Sequence, residues 1–219
     1  MPSVRAVITS PFHNQLKWLP PAEYKETVYL SKDSSEQDAI LFLNLLCGYN
    51  HINVDDKEPS EIVQELLLLD EAILSGGLAF TDKDKEILPS CCCGLEGWRE
   101  VYEDIVAKSN PWLGHDPSPT IEYGEEWVRV WSDDPFDTEK KDLSNQQRDK
   151  LFYVEFRYNE LINKVQSMEL DLLDFYTHAF DKLFPMIDLE TKKQLFSKYC
   201  EWFHLRKAAR FRLIRFFKN

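Results

Sequence analysis

Long apolar runs are missing from this chain of 219 residues. Nothing in it approaches the roughly 18–20 apolar residues that a membrane span requires. Its opening, MPSVRAVITSPFHNQ, has too short an apolar stretch and the wrong flanks for a secretory signal. Glycine is scarce, with seven residues in all, and the phosphate-cradling patterns G-x-x-x-x-G-K-[ST] and G-x-G-x-x-G are absent. H-E-x-x-H and G-x-S-x-G are absent too, which removes the zinc-protease helix and the nucleophile elbow. The five cysteines are an odd number with three adjacent. They do not resemble an extracellular disulfide framework and point to a reduced, cytoplasmic protein.

What is present suffices for a folded body. Apolar residues make up 43% and aromatics 13%, enough for a sizeable core, which excludes wholesale disorder. Charge is unevenly spread. Residues 205–219 carry Arg206, Lys207, Arg210, Arg212, Arg215 and Lys218 and no acid. Against a net −12 for the whole chain, that leaves −18 on residues 1–204. An acidic body repels nucleic acid and anionic membranes and attracts basic proteins. The basic end has Leu205, Ala209, Leu213 and Phe217 at helical spacing. It is expected to dock on the chain's own acidic body, with a membrane, nucleic acid or a protein partner as the alternatives.

Periodicity sets the elements. Residues 4–9 and 26–31 read as strands. A helix capped by Ser34 or Ser35, with Asp38 in its first turn, runs to Cys47 and is ended by Gly48. A second helix spans 59–69 with Ser60 as its cap. Gly76-Gly77 marks a turn or a close backbone approach, 78–81 a strand, and the charged DKDKE run a solvated loop. Residues 95–108 form an amphipathic helix. Residues 121–123 and 127–131 flank Gly124-Glu125-Glu126 as a hairpin, with Trp127, Arg129 and Trp131 on one face. Residues 133–148 are a polar excursion and 151–156 a strand. Leu161, Val165, Met168, Leu172, Phe175, Ala179 and Leu183 then mark one stripe of a long helix ending near Pro185. A last helix covers 189–204, with the basic end as a candidate continuation. The mixed order gives an α+β fold with an antiparallel sheet and packed helices. Residues 1–188 make the domain, and 189–219 a C-terminal helical extension with a basic end.

The stretch 75–134 holds most of the unusual stereochemistry, with six of the seven glycines and four of the six tryptophans. Cys91, Cys92 and Cys93 stand just before a helix start, where the helix N-terminus favours a thiolate. They are candidates for a soft-metal or redox site. Adjacent side chains diverge, so a metal ion needs partners such as His115 or Cys200 from elsewhere. The alternative is that they are small buried residues packing a turn. Trp112 to Pro119 (WLGHDPSP) is a proline-stiffened loop, and His115 beside Asp116 is either a recognition residue or a base with its orienting carboxylate. Glu122, Glu125, Glu126, Asp133, Asp134 and Asp137 make an acidic face without the register of a calcium loop.

The segments LPSCCCGLEGW (88–98), NPWLGHDPSP (110–119) and VRVWSDD (128–134) resemble a group of uncharacterised bacterial proteins, which supplies no catalytic residue. The order of a Leu-Pro turn, a Trp-bearing hairpin, a strand and a helix carrying Asp171, Asp174 and Phe175 is similar to SUKH-type immunity proteins. Those are single acidic α+β domains that bind and neutralise toxins, and the cysteine run and the basic end depart from their pattern. The resulting expectation is a non-enzymatic, immunity-like protein-binding module that uses no cofactor. Trp112, His115, Asp116, Glu125, Glu126, Trp127 and Trp131 make its surface, and its partner is a basic protein. The rival is a metal- or thiol-dependent enzyme in which Cys91, Cys92, Cys93, His115 and Asp116 converge in one pocket.

Overall fold

The computed structural model describes residues 1–11, 15–136 and 151–205. Over these the chain is an α+β fold of two antiparallel sheets and five α-helices. The expected excursion falls mostly on 137–150, and with Asp137 it lies outside the described residues. The basic segment 206–219 and its expected docking lie outside them as well. Among the described residues no helix is long and apolar enough to cross a membrane.

The β-branched run SVRAVIT forms β1 (Ser3–Thr9), the hub of the first sheet. β2 (Thr27–Leu30) pairs with it on one side, Ala6 opposite Leu30, and β3 (Gly76–Asp82) on the other, Val4 opposite Phe80. At Gly76 a side chain would collide with the Val7 carbonyl oxygen, so glycine lets β3 start hard against β1. The charged run is not wholly a loop. Lys85–Ile87 is a short edge strand, β4, paired to β3. Its Lys85 and Glu86 stay exposed while Ile87 is buried opposite Phe80. An outermost strand tolerates charge because only one of its edges is paired.

The second sheet runs β5 (Thr120–Tyr123), β6 (Trp127–Trp131) and β7 (Tyr153–Arg157). Alternation works as read: Val128, Val130, Val154 and Phe156 are buried, while Trp127, Arg129 and Trp131 share the outer face. Phe80 meets Phe156 edge-on at 6.2 Å and joins the two sheets.

α1 (Glu36–Tyr49) is capped by Ser35 in a reciprocal box with Asp38. Partial burial would raise the Asp38 carboxyl, but bonds from Lys25 and Ser35 hold it below its ordinary range. Residues 39–47 are buried on every side, so the helix is central. Gly48 does not end it. Asn50 does, its side chain bonding the Leu46 and Ile73 carbonyls. α2 (Pro59–Leu68) is capped by Glu58 rather than Ser60, because Pro59 occupies the first helical position. A 3-10 turn (Leu95–Gly97) leads into α3 (Trp98–Ala107).

α4 (Tyr158–Phe175) continues through a π-helical turn (Tyr176–Phe180) and a 3-10 turn (Asp181–Leu183) up to Phe184, and its predicted stripe is buried throughout. α5 (Leu189–Trp202), capped by Asp188, sends Leu195, Phe196, Tyr199 and Trp202 into the same core. There Phe42, Phe175, Tyr176, Phe180, Tyr199 and Phe203 pack with ring centroids 4.9–6.3 Å apart. The helix stops at Trp202. His204 takes a left-handed backbone (φ +49°), so α5 is not continuous with the segment that follows.

Candidate functional site

The Leu88–Gly94 and Trp112–Asp116 segments are drawn together as a short antiparallel pair. Ser90 N donates to the Leu113 carbonyl (3.3 Å), His115 N to the Cys91 carbonyl (3.4 Å) and Ser90 Oγ to the His115 carbonyl (2.6 Å). Gly114 lies between them at φ +97°, with Cys91 O and Ser90 Cβ each 2.8 Å from where a Cβ would stand. Only glycine fits there. A cis peptide joins Asp116 to Pro117.

Pairing Cys91 with His115 puts their side chains on one face. Cys92, adjacent in sequence, would point away in extended backbone, yet its left-handed conformation (φ +66°) swings it back. Its Sγ lies 3.5 Å from that of Cys91. The Cys91 Sγ is 3.3 Å from His115 Nε2 and 3.4 Å from Nδ1, and Asp116 Oδ2 is 3.1 Å from Nδ1. Cys91, Cys92 and His115 thus converge, all exposed. Cys93 is outside this cluster and half-buried, and burial pushes its thiol up to about 11. Cys200 is outside it too, packed against the core.

The expected lowering of a thiol pKa is reversed at Cys91 and Cys93. The Cys91 thiol is raised, first by its hydrogen bond with Cys92 and then by desolvation and neighbouring charge. The sulfurs precede a 3-10 turn rather than the first turn of an α-helix, and no cation stands among the causes.

Trp112 is 60% exposed, its ring 6.0 Å from that of His115, and its Nε1 donates to the Cys92 carbonyl (3.4 Å). It forms the rim of a groove of about 650 Å³ floored by Leu78, Trp98, Val101 and Trp202. Six carboxylates line the groove: Asp70 and Glu71 before β3, Glu96 in the 3-10 turn, Glu100 and Asp104 along α3, and Glu201 at the end of α5. Among the described residues no lysine or arginine lines it, and His204 is its one imidazole. Arg99 on α3 is committed elsewhere, to Glu169 (3.1 Å) and the His204 carbonyl (3.1 Å), and Lys198 donates to the Leu69 carbonyl (2.9 Å). Burial raises the Glu96 carboxyl, even though Leu74 N donates to it (3.1 Å).

The other predicted site residues stand apart. Glu125 and Glu126 sit at the turn of the hairpin, remote from Thr120 by the length of β5, and line a second groove with Arg157 and Lys164. On the outer sheet face Arg129 lies over the Trp127 ring (4.2 Å), bonds Glu155 (2.9 Å) and approaches Glu122 (3.8 Å). Trp131 donates to Glu122 (3.0 Å) and packs edge-on against Tyr153 at 4.8 Å. Asp133 accepts from Ser118 N (2.8 Å) and Asp134 from Phe136 N (2.8 Å), which makes both turn residues. The groove carboxylates were missed by sequence reading, since they come from three segments that only the fold brings together. No family model, curated protein or solved structure matches the chain.

Proposed function

We propose that this chain is a non-enzymatic protein-binding module, and that the groove beside Trp112 receives a basic segment of its partner. One observation carries the reading: among the described residues, six carboxylates and no lysine or arginine line a groove with an apolar floor and an exposed tryptophan at its rim. A groove lined by acids favours a cationic ligand, and its apolar floor selects a segment that alternates bases with apolar anchors. Trp112 is placed to be the anchor on this side, because an aromatic ring on a stiff loop loses little entropy when covered. The same charge disfavours nucleic acid and anionic membranes. The immunity-like form of the reading, in which a basic toxin surface is covered, rests on the order of elements. The cytoplasmic setting rests on five cysteines that form no disulfide.

The test uses a fluorescein-labelled peptide of lysine and arginine interspersed with leucine and phenylalanine, titrated by anisotropy at several salt concentrations. The variant Glu71→Lys/Glu100→Lys weakens binding about tenfold or more and flattens its salt dependence. The hairpin variant Glu125→Lys/Glu126→Lys, whose carboxylates line the other groove, changes it less than about twofold. Equal losses in both variants, or a loss in neither, would remove the groove from the proposal.

A further inference from the structure

The reading above leaves the two exposed thiols and the imidazole at the groove's edge without a role. Their spacing is close to that of a metal chelate. Ligands at about 2.3 Å (sulfur) and 2.0–2.1 Å (nitrogen) around a tetrahedral ion stand about 3.8 Å apart for two sulfurs and about 3.6 Å apart for sulfur and nitrogen. The observed separations are 3.5 Å between Cys91 and Cys92 and 3.3 Å between Cys91 and His115 Nε2. The three donors lie within 4.8 Å of one another, so drawing them onto one ion takes only side-chain rotation.

The backbone holds this arrangement. The left-handed turn at Cys92 makes neighbouring thiols converge, the bridge between Cys91 and His115 keeps the imidazole on their face, and Gly114 permits the close approach. Asp116 completes it. With its Oδ2 3.1 Å from Nδ1, it accepts the Nδ1–H and leaves the Nε2 lone pair for the ion, the usual work of a carboxylate behind a ligating histidine.

We propose that Cys91, Cys92 and His115 bind one zinc(II) ion, with water at a fourth, solvent-facing position. Two thiolates and an imidazole suit zinc and not calcium or magnesium. On binding, the Cys91 and Cys92 thiols each give up a proton to solvent, so one zinc enters and two protons leave. The assignment does not rest on the groove's proposed partner, although Cys92 also lines the groove.

The test is a titration of the reduced, metal-free full chain with zinc against a chromogenic chelator, and with cobalt(II) as an optical probe. Expected are one equivalent of metal, a near-ultraviolet sulfur-to-cobalt charge-transfer band and the intense visible bands of tetrahedral cobalt. Cys91→Ser, Cys92→Ser and His115→Ala each weaken zinc binding about 100-fold or more. Asp116→Asn weakens it about tenfold. Cys93→Ser and Cys200→Ser leave it unchanged. Circular dichroism of each variant separates a lost ligand from a lost fold, and Cys91→Asp, which keeps a ligand, recovers part of the affinity if Cys91→Ser proves unstable. Absence of stoichiometric zinc, retention of zinc by Cys91→Ser/Cys92→Ser, or an octahedral cobalt spectrum without the thiolate band would overturn the assignment.

Discussion

Trp98 and Trp112 are the same residue in two economies of structure. Trp98 is 1% exposed, lies under the groove and donates its Nε1–H to the Phe203 carbonyl at 2.7 Å. Trp112 is 60% exposed and makes only a long bond, 3.4 Å, to the Cys92 carbonyl. The cysteines divide the same way. Cys47 is buried on α1 with its thiol pushed up to about 12, whereas Cys91 and Cys92 face solvent beside an imidazole. One region spends aromatic and thiol groups on packing, and the other leaves them available. A residue committed to a core is costly to remove and can do little else, while exposed apolar and soft groups on a stiff loop contribute little to stability.

The largest effect should come from the packed region. Phe42 touches Phe175, Phe180, Tyr199 and Phe203, so Phe42→Ala should cost about 3–5 kcal/mol in urea unfolding with an unchanged m-value. A loss below about 1 kcal/mol would mean that this cluster does not hold the fold. The two tryptophans give the next contrast. Trp98→Phe leaves the Phe203 carbonyl without its donor in a buried place and should cost about 2–3 kcal/mol. Trp112→Phe should stay within about 0.5 kcal/mol of the parent. Two glycines give the smallest and sharpest pair. Gly114→Ala meets Cys91 and Ser90 at φ +97° and should cost about 1–3 kcal/mol. Gly97 has helical angles and no atom within 4 Å of an added Cβ, so Gly97→Ala should be neutral or stabilising by up to about 1 kcal/mol. Similar losses at both positions in thermal unfolding would contradict the account of the Cys91–His115 pair.

Much of the packed region was legible because packing writes periods into sequence. The stripe Leu161, Val165, Met168, Leu172, Phe175, Ala179 and Leu183 is buried as spaced, and Ser35 with Asp38 announced the start of α1. Where polar and apolar signals compete, reading failed. Gly48 suggested a stop, but a helix packed on every side continued through it to the Asn50 cap. The charges of 82–86 hid the edge strand at Lys85–Ile87. The site was legible only in its members. Cys91 and His115 are 24 residues apart, and their meeting depends on a left-handed backbone at a cysteine, a conformation no local pattern announces. The acidic hairpin was visible as a run, whereas the groove carboxylates are spread from Asp70 to Glu201 and join only in the fold.

The most direct test of the division is the indole region of a ¹⁵N–¹H spectrum during titration with the basic peptide. Six tryptophans report separately. A saturable shift of the Trp112 indole resonance is expected, abolished by Glu71→Lys/Glu100→Lys, while Trp127 and Trp131 on the outer sheet face stay in place. Movement of Trp127 and Trp131 with Trp112 unmoved would contradict it.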